Sequence, residues 1–322
     1  MSTTSKSPRR VLVMAYEIAR GCLPDYSHPC SPKVFTQPQL FACLVLKEFA
    51  KLDYRGVEAL LRDSPPLVEA IGLKHVPDYT TLHKATRRLL TLSHVRSLLG
   101  QTVRQAQRRR LLKKRVRLAA IDASGFEAHH VSHYFVRRRA RNGKQTGKWQ
   151  TTTYRRFPKL ALVCDCRSHF ILATACERGP RPDFDHWLTA MCEASQFSTI
   201  ETLVADAGYD AEWIHQAARL VFGTRTIIPP QHGRPTTKLP RGYFRRRMAR
   251  HFNLTRYRQR SQNETVFSMI KRRLTSAVNA YHPFSQRRAL LLKVLTHNIM
   301  ILWRIQVFDR ALRSHSEEHR RD

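Results

Sequence analysis

Between residues 36 and 112 apolar side chains recur at three- and four-residue steps: Phe41, Leu44, Val45, Phe49 and Leu52, then Val57, Leu60 and Leu61 after a break at Asp53. That period predicts helices. The Pro65-Pro66 pair reads as the end of the run, and Pro77-Asp78-Tyr79-Thr80-Thr81 as a turn with an N-cap before a helix over 82–90. Short helices joined by tight turns, the last carrying Lys84, Arg87 and Arg88, predict a helix-turn-helix-like nucleic-acid module. A helical packing unit with a solvated basic face has the same pattern, so both readings stand.

Beyond a dense Arg/Lys run at 104–117 the period changes. Residues 116–123, 160–165 and 170–176 read as buried strands, the last two around a turn at Arg167-Ser168-His169. A helix at 184–194, a strand at 203–205, a helix at 211–222 and a strand at 226–228 follow. After a polar loop at 229–241 come basic helices at 243–250 and 258–274. The order predicts an α/β domain, a mixed sheet flanked by helices, preceded by an α-helical N-terminal domain. The expected division is 1–112 helical, 113–310 the sheet domain with a basic hairpin or loop inserted at 129–157, and 311–322 a polar tail. Residues 285–310 read as an amphipathic helix packing back on the body, or as a plain core helix.

Charge changes the picture most. Lys+Arg number 57 against 24 Asp+Glu, a formal net +33. Such a surplus repels itself unless a polyanion neutralises it, which makes nucleic acid the expected partner. A membrane surface fits less well, because the cations are spread along the whole chain. The longest apolar stretch, 289–303, is broken by Lys293, His297 and Asn298. Residues 1–10 have no signal-peptide core, and the seven cysteines are odd in number with no CxxC pair. Both predict a reducing cytoplasm with free thiols and no membrane. Cys22, His28 and Cys30 lack a fourth ligand at zinc-finger spacing. His129, His130 and His133 sit in the basic insertion and read as part of a DNA-facing segment. Trp187, Trp213 and Trp303 read as core or interface aromatics; Trp149, near Lys148 and Arg155, is placed to stack on an unpaired base.

In a chain this poor in acids, carboxylates at apolar strands need a reason, since burying one costs several kcal/mol without a partner. Asp122 follows Leu-Ala-Ala-Ile and precedes Ala-Ser-Gly; Asp206 follows Leu-Val-Ala and precedes Ala-Gly-Tyr-Asp. Both read as strand-end residues with a glycine close by, leaving room for a ligand. Each also has a bland reading, Asp122 bonding a turn and Asp206 capping the next helix, for which Asp210 is the better candidate. Two adjacent aspartates repel each other unless cations separate them, and Mg²⁺ prefers such oxygen ligands. A third ligand is available in Glu264, which with Glu212 makes up the acids between Asp210 and Asp309. On a helix Arg260, Glu264 and Lys271 share one face, with Tyr257 at its start.

The Tyr-x2-Arg-x3-Glu-x6-Lys spacing of Tyr257, Arg260, Glu264 and Lys271 resembles the signature of bacterial insertion-sequence transposases of the DDE type, whose catalytic domain has the RNase H-like fold. Ile-Asp122-Ala-Ser and Val-Ala-Asp206-Ala-Gly-Tyr-Asp are similar to that family's first and second catalytic aspartates. Tyr54-Arg55-Gly-Val-Glu-Ala-Leu and Pro77-Asp78-Tyr-Thr-Thr-Leu are similar to its N-terminal helical region. The resemblance implies that Asp122, Asp206 and Glu264 are catalytic and hold two Mg²⁺ (or Mn²⁺) ions, with Tyr257, Arg260 and Lys271 on the DNA backbone. It also implies double-stranded DNA partners, both terminal inverted repeats and target DNA, a homodimer in the DNA complex, and a cytoplasmic, nucleoid-associated location. The 57 residues between Asp206 and Glu264 are too few for the large β-rich insertion some relatives carry, which leaves the excision route open. Two other functions stay open from the residues alone: a DNA-binding protein without catalysis, and a nuclease of the same fold that only hydrolyses.

Overall fold

The computed structural model describes residues 4–128, 133–139, 149–180, 182–230 and 239–303. Helices come first: α1 (Pro8–Arg20), α2 (Gln37–Phe49), α3 (Tyr54–Asp63), α4 (Pro65–Ala70), α5 (Tyr79–Leu89) and α6 (Leu92–Arg108). Their starts follow from local chemistry, because Ser7, Thr36, Asp53, Asp78 and Thr91 each accept a backbone N–H from the turn that follows. A cap of this kind is worth about 1 kcal/mol. Pro65-Pro66 does not simply end a helix; it opens α4, since proline in a first turn gives up only an N–H that has no intrahelical acceptor. Helix α1 lies outside the predicted helical stretch, yet its Val11, Leu12, Met14, Ala15 and Ile18 are buried.

The sheet follows in the predicted order. Among the described residues its five strands are β1 (Ala119–Gly125), β2 (Phe157–Asp165), β3 (Ile171–Gly179), β4 (Thr202–Val204) and β5 (Arg225–Ile227), arranged β5-β4-β1-β2-β3. β2 is antiparallel to both β1 and β3, whereas β4 runs parallel to β1 and β5 parallel to β4. This mixed sheet with flanking helices is the RNase H-like arrangement. The unbroken apolar stretch Leu160 to Cys164 in β2 is buried throughout, as a strand covered on both faces requires. Strands His133–Arg139 and Trp149–Arg155 pair antiparallel as a separate hairpin, within the expected insertion. His129, His130 and the tail 311–322 lie outside the described residues, as do the side chains of His133 and Trp149.

After β3 come α7 (Trp187–Ser195), α8 (Glu212–Leu220), α9 (Tyr243–Arg250), α10 (Leu254–Tyr257), α11 (Ser261–Leu274) and α12 (Pro283–Leu302). The last is not amphipathic: from Leu290 to Leu302 every residue is buried, because α12 packs on β2 and β3 and also on α1, α2 and α6. One continuous core therefore joins the N-terminal helices to the sheet. Two of its polar residues find distant partners. Asn298 exchanges two hydrogen bonds with the Ile171 backbone, at 3.0 and 2.9 Å, and donates a third to Thr102. Lys293, 3% exposed, meets Glu48 of α2 at 2.6 Å. Trp187 is fully buried and takes Trp213 edge-on at 5.7 Å, while Trp303 stacks under Arg10 at 4.8 Å. The cysteines are all free thiols. Among the described residues, no helix is long and apolar enough to cross a membrane.

Candidate active site

Asp122 does not end its strand. It stands in the middle of β1, directly opposite Leu162 of β2, because the ladder continues to Gly125. Asp206 lies beyond the end of β4. The parallel register pairs Ala120 with Val204, so each aspartate lies two residues past the same rung, on chains about 4.8 Å apart where they pair. This offset brings two acids 84 residues apart in sequence to one level of the sheet. The backbone N–H of Gly208 donates to Asp206 Oδ1 at 2.9 Å, capping the single turn Ala207–Tyr209. Asp210 is not a helix cap. Its carboxylate is buried, takes the Arg245 guanidinium at 2.6 Å and has His215 at 3.7 Å, which braces α9 against this loop.

The third acid arrives on a nearly unbroken helical path, α10, one tight turn over Arg258–Arg260, then α11. Arg260 joins the elements, donating from Nη1 to Asp122 Oδ2 at 3.1 Å and from Nη2 to Glu264 Oε1 at 2.5 Å. Burial alone would lower its pKa; the Asp122 and Glu264 carboxylates outweigh that and hold it above the usual guanidinium range. Further along, Lys271 donates to Ser124 Oγ at 2.8 Å and lies over the Phe126 ring at 5.1 Å. Burial pulls its pKa down, opposed by Glu127. Arg260 and Lys271 thus both reach β1, as the shared helical face predicts. Tyr257 packs its ring against Phe252, 5.0 Å between centroids. Glu264 itself is more than half exposed and open to a ligand.

Asn263, one residue before Glu264, was invisible to sequence reasoning. It is fully buried, and its Nδ2 donates to the carbonyls of Ala120 and Leu162 at 3.0 and 3.1 Å. Those carbonyls belong to β1, which carries Asp122, and to β2 beside it, so Asn263 clamps the helix to the sheet next to Asp122. In sequence it looks like one more polar residue in Ser-Gln-Asn-Glu; its only signal is its place on the apolar stripe with Val266, Phe267 and Ile270. Asn263→Leu leaves two carbonyls without their donor, and urea unfolding is expected to show a loss of about 1–3 kcal/mol.

The donor set is all oxygen, and two of its members already share one positive charge, that of Arg260. Carboxylates arranged about a cation are what a hard divalent ion requires, so the residues fit such a metal in chemistry. Among the described residues no three of His, Cys, Asp and Glu stand together as a ready metal cluster.

Lys84, Arg87 and Arg88 are exposed on α5 and separate from the carboxylates. Arg87 lines a cleft of about 590 Å³ with Lys47, Lys51 and Arg288, floored by Leu274 and Thr275 at the end of α11. The basic helix of the N-terminal region and the carboxylate helix therefore share one wall.

Comparison with known proteins bears on the same segment. Among curated proteins none matches the chain. The family described as the transposase DDE domain matches residues 113–299, more than half of the chain, from just before β1 into α12 and including all three acids. Domains of that family act on DNA as transposase-type nucleases and in general use divalent metals. With an RNase H-like sheet, aspartates level on β1 and just past β4, and a glutamate on α11 tied through Arg260 to the first of them, the chain belongs to the transposase DDE domain family.

Proposed function

We propose that the chain is an insertion-sequence transposase that cuts DNA at the ends of its element and joins the freed 3′-OH to target DNA. The observation that carries this reading is Arg260 spanning Asp122 and Glu264, which ties a strand to a helix 138 residues away and puts two acids and a cation on one spot.

Asp122, Asp206 and Glu264 would hold two Mg²⁺ (or Mn²⁺) ions, which when bound stabilise charge on the attacking and leaving oxygens of an in-line displacement. The protein's own residues orient the DNA. Arg260, fixed as a cation, and Lys271 offer N–H donors on either side of Glu264 for non-bridging phosphate oxygens. Tyr257 extends that row by one turn. In the first step the water oxygen bonds to phosphorus, the P–O3′ bond breaks, and the element's end leaves as a 3′-OH. In the second, that hydroxyl oxygen bonds to a target phosphorus, and the target's own P–O3′ bond breaks. Both are displacements at phosphorus, so one set of residues serves both.

The N-terminal helical region, residues 1–112, carries end recognition through Lys84, Arg87 and Arg88, and residues 113–310 carry the chemistry. Two ends must be held together for integration, which requires at least a homodimer on DNA. The test uses purified chain, Mg²⁺ and duplexes ending in the inverted repeats that flank its coding region. The expected products are a 3′-OH at the repeat boundary and its covalent attachment to plasmid. Cutting without attachment, even from a pre-cut 3′-OH end, would reduce the function to hydrolysis alone.

A further inference from the structure

One set of carboxylates acting in turn on an element's end and on a target must lie between two duplexes. The structure has a basic recess at each end of the carboxylate helix. The cleft at the C-terminal end of α11 is lined by Arg87 of α5, with Lys47, Lys51 and Arg288. At the other end Gln259, next to Arg260, borders a second recess of about 820 Å³, lined by Arg110, Lys113, Arg115, Arg117 and Arg167. A smaller recess shares Arg117 and Leu118 with it and adds Arg256 of α10. We propose that this second recess, at the start of β1, is where the target duplex lies. The assignment rests on the transposase reading and extends it.

Charge is the first argument. Two carboxylates border the recesses, and both are engaged internally. Asp165 accepts the backbone N–H and hydroxyl of Ser168 at 2.9 and 2.5 Å, and Glu201 takes Arg115 at 2.6 Å. Arg110, Lys113, Arg117, Arg167 and Arg256 are exposed, and among the described residues none has a carboxylate within ion-pair distance. Four such cations on the second recess and Arg256 on the smaller one beside it, unpaired among the described residues, suit a phosphate backbone, which carries a charge every ~1.7 Å of duplex.

Position is the second. Asp165 lies opposite Ala119, three residues before Asp122 on β1, so the recess opens about 10 Å along the strand from the first carboxylate. Helix α11 runs from there past Asp122, where Asn263 meets Ala120, to Ser124, where Lys271 reaches the strand. The three acids thus lie between the recess and the α5 cleft. A duplex in the recess would place its phosphates beside the site from the side opposite the element's end.

The test is a triple substitution, Lys113→Ala, Arg117→Ala and Arg167→Ala, at exposed positions with no hydrogen bond or ion pair to lose among the described residues. With flanked repeat DNA, end cleavage should stay within about twofold of wild type. With a pre-cut 3′-OH end lacking flanking DNA, attachment to plasmid should drop at least tenfold and recover as plasmid concentration rises. The slope of log K against log salt for a plain duplex should become shallower by about 2–3, near 0.9 for each phosphate contact removed. Unchanged attachment with an unchanged slope overturns the assignment. A loss confined to cleavage of flanked DNA overturns it too, giving the recess to the donor flank. Wild-type protein that neither cuts nor joins overturns the transposase reading and the target surface with it.

Discussion

Asp122→Ala, Asp206→Ala and Glu264→Ala should each lower Mg²⁺-dependent end cleavage by roughly 10³-fold or more, while the protein stays folded. The size follows from the chemistry: metal-held stabilisation of the attacking and leaving oxygens is worth several kcal/mol, and each 1.36 kcal/mol is tenfold in rate. Retention of fold follows from the geometry. Glu264 is more than half exposed, and its bond to Arg260 is a partly solvated pair within one helical turn. Such pairs contribute about 0–1 kcal/mol. If Asp122 is removed, Arg260 keeps Glu264; if Glu264 is removed, it keeps Asp122, so no cation is stranded. Cleavage measured beside circular dichroism separates lost chemistry from lost structure, and full activity in any one of the three would remove that acid from the site.

The largest stability effect lies elsewhere, at Lys293. Its ammonium is buried between α2 and α11, donating to Glu48 Oε1 at 2.6 Å, to Thr275 Oγ1 at 2.9 Å and to the Leu274 carbonyl. Those last two partners close the C-terminus of α11. Thr275 there adopts φ +76°, in the positive-φ region that favours glycine, and Lys51 of the α2–α3 turn donates to the Arg272 carbonyl at 3.1 Å. Lysines from two other elements thus supply the donors that the helix end lacks. Lys293→Ala takes from the buried Glu48 carboxylate its 2.6 Å partner and leaves it Lys47 at 3.9 Å, and denaturant unfolding should register a loss of about 3–5 kcal/mol. Adding Glu48→Leu to Lys293→Met should recover most of it, because a buried ion pair replaced by apolar residues of similar volume is often neutral or better. A double variant as unstable as the single would show that closing α11, rather than charge pairing, is the main role of Lys293.

Much of this was legible in the sequence because it depends on local pattern. The order of strands and helices after Arg117 came from changes in apolar period, which reflect which face of each element is buried. The acids stood out because Asp and Glu are scarce in so basic a chain, and because Asp122 and Asp206 interrupt apolar strand runs. Arg260, Glu264 and Lys271 sit on one helical face by spacing alone, and the structure directs Arg260 and Lys271 at β1.

What the sequence could not carry depends on partners far along the chain. Asp122 read as a strand end because its neighbours Ala-Ser-Gly look like a turn, whereas Lys159, Leu160 and Ala161 of β2 extend the ladder past it. Asn263 drew no role and Lys293 only broke an apolar stretch, because an amide or ammonium is stable in the core only where distant groups receive it. Those groups, the carbonyls of Ala120 and Leu162 and the carboxylate of Glu48, come into range only when sheet and helices pack. Sequence by itself determined which elements form and which acids are on offer, since both are short-range properties of period and composition. Tertiary structure alone decided which of those groups face one another, because the burial of a polar residue depends on where the rest of the chain puts its partner.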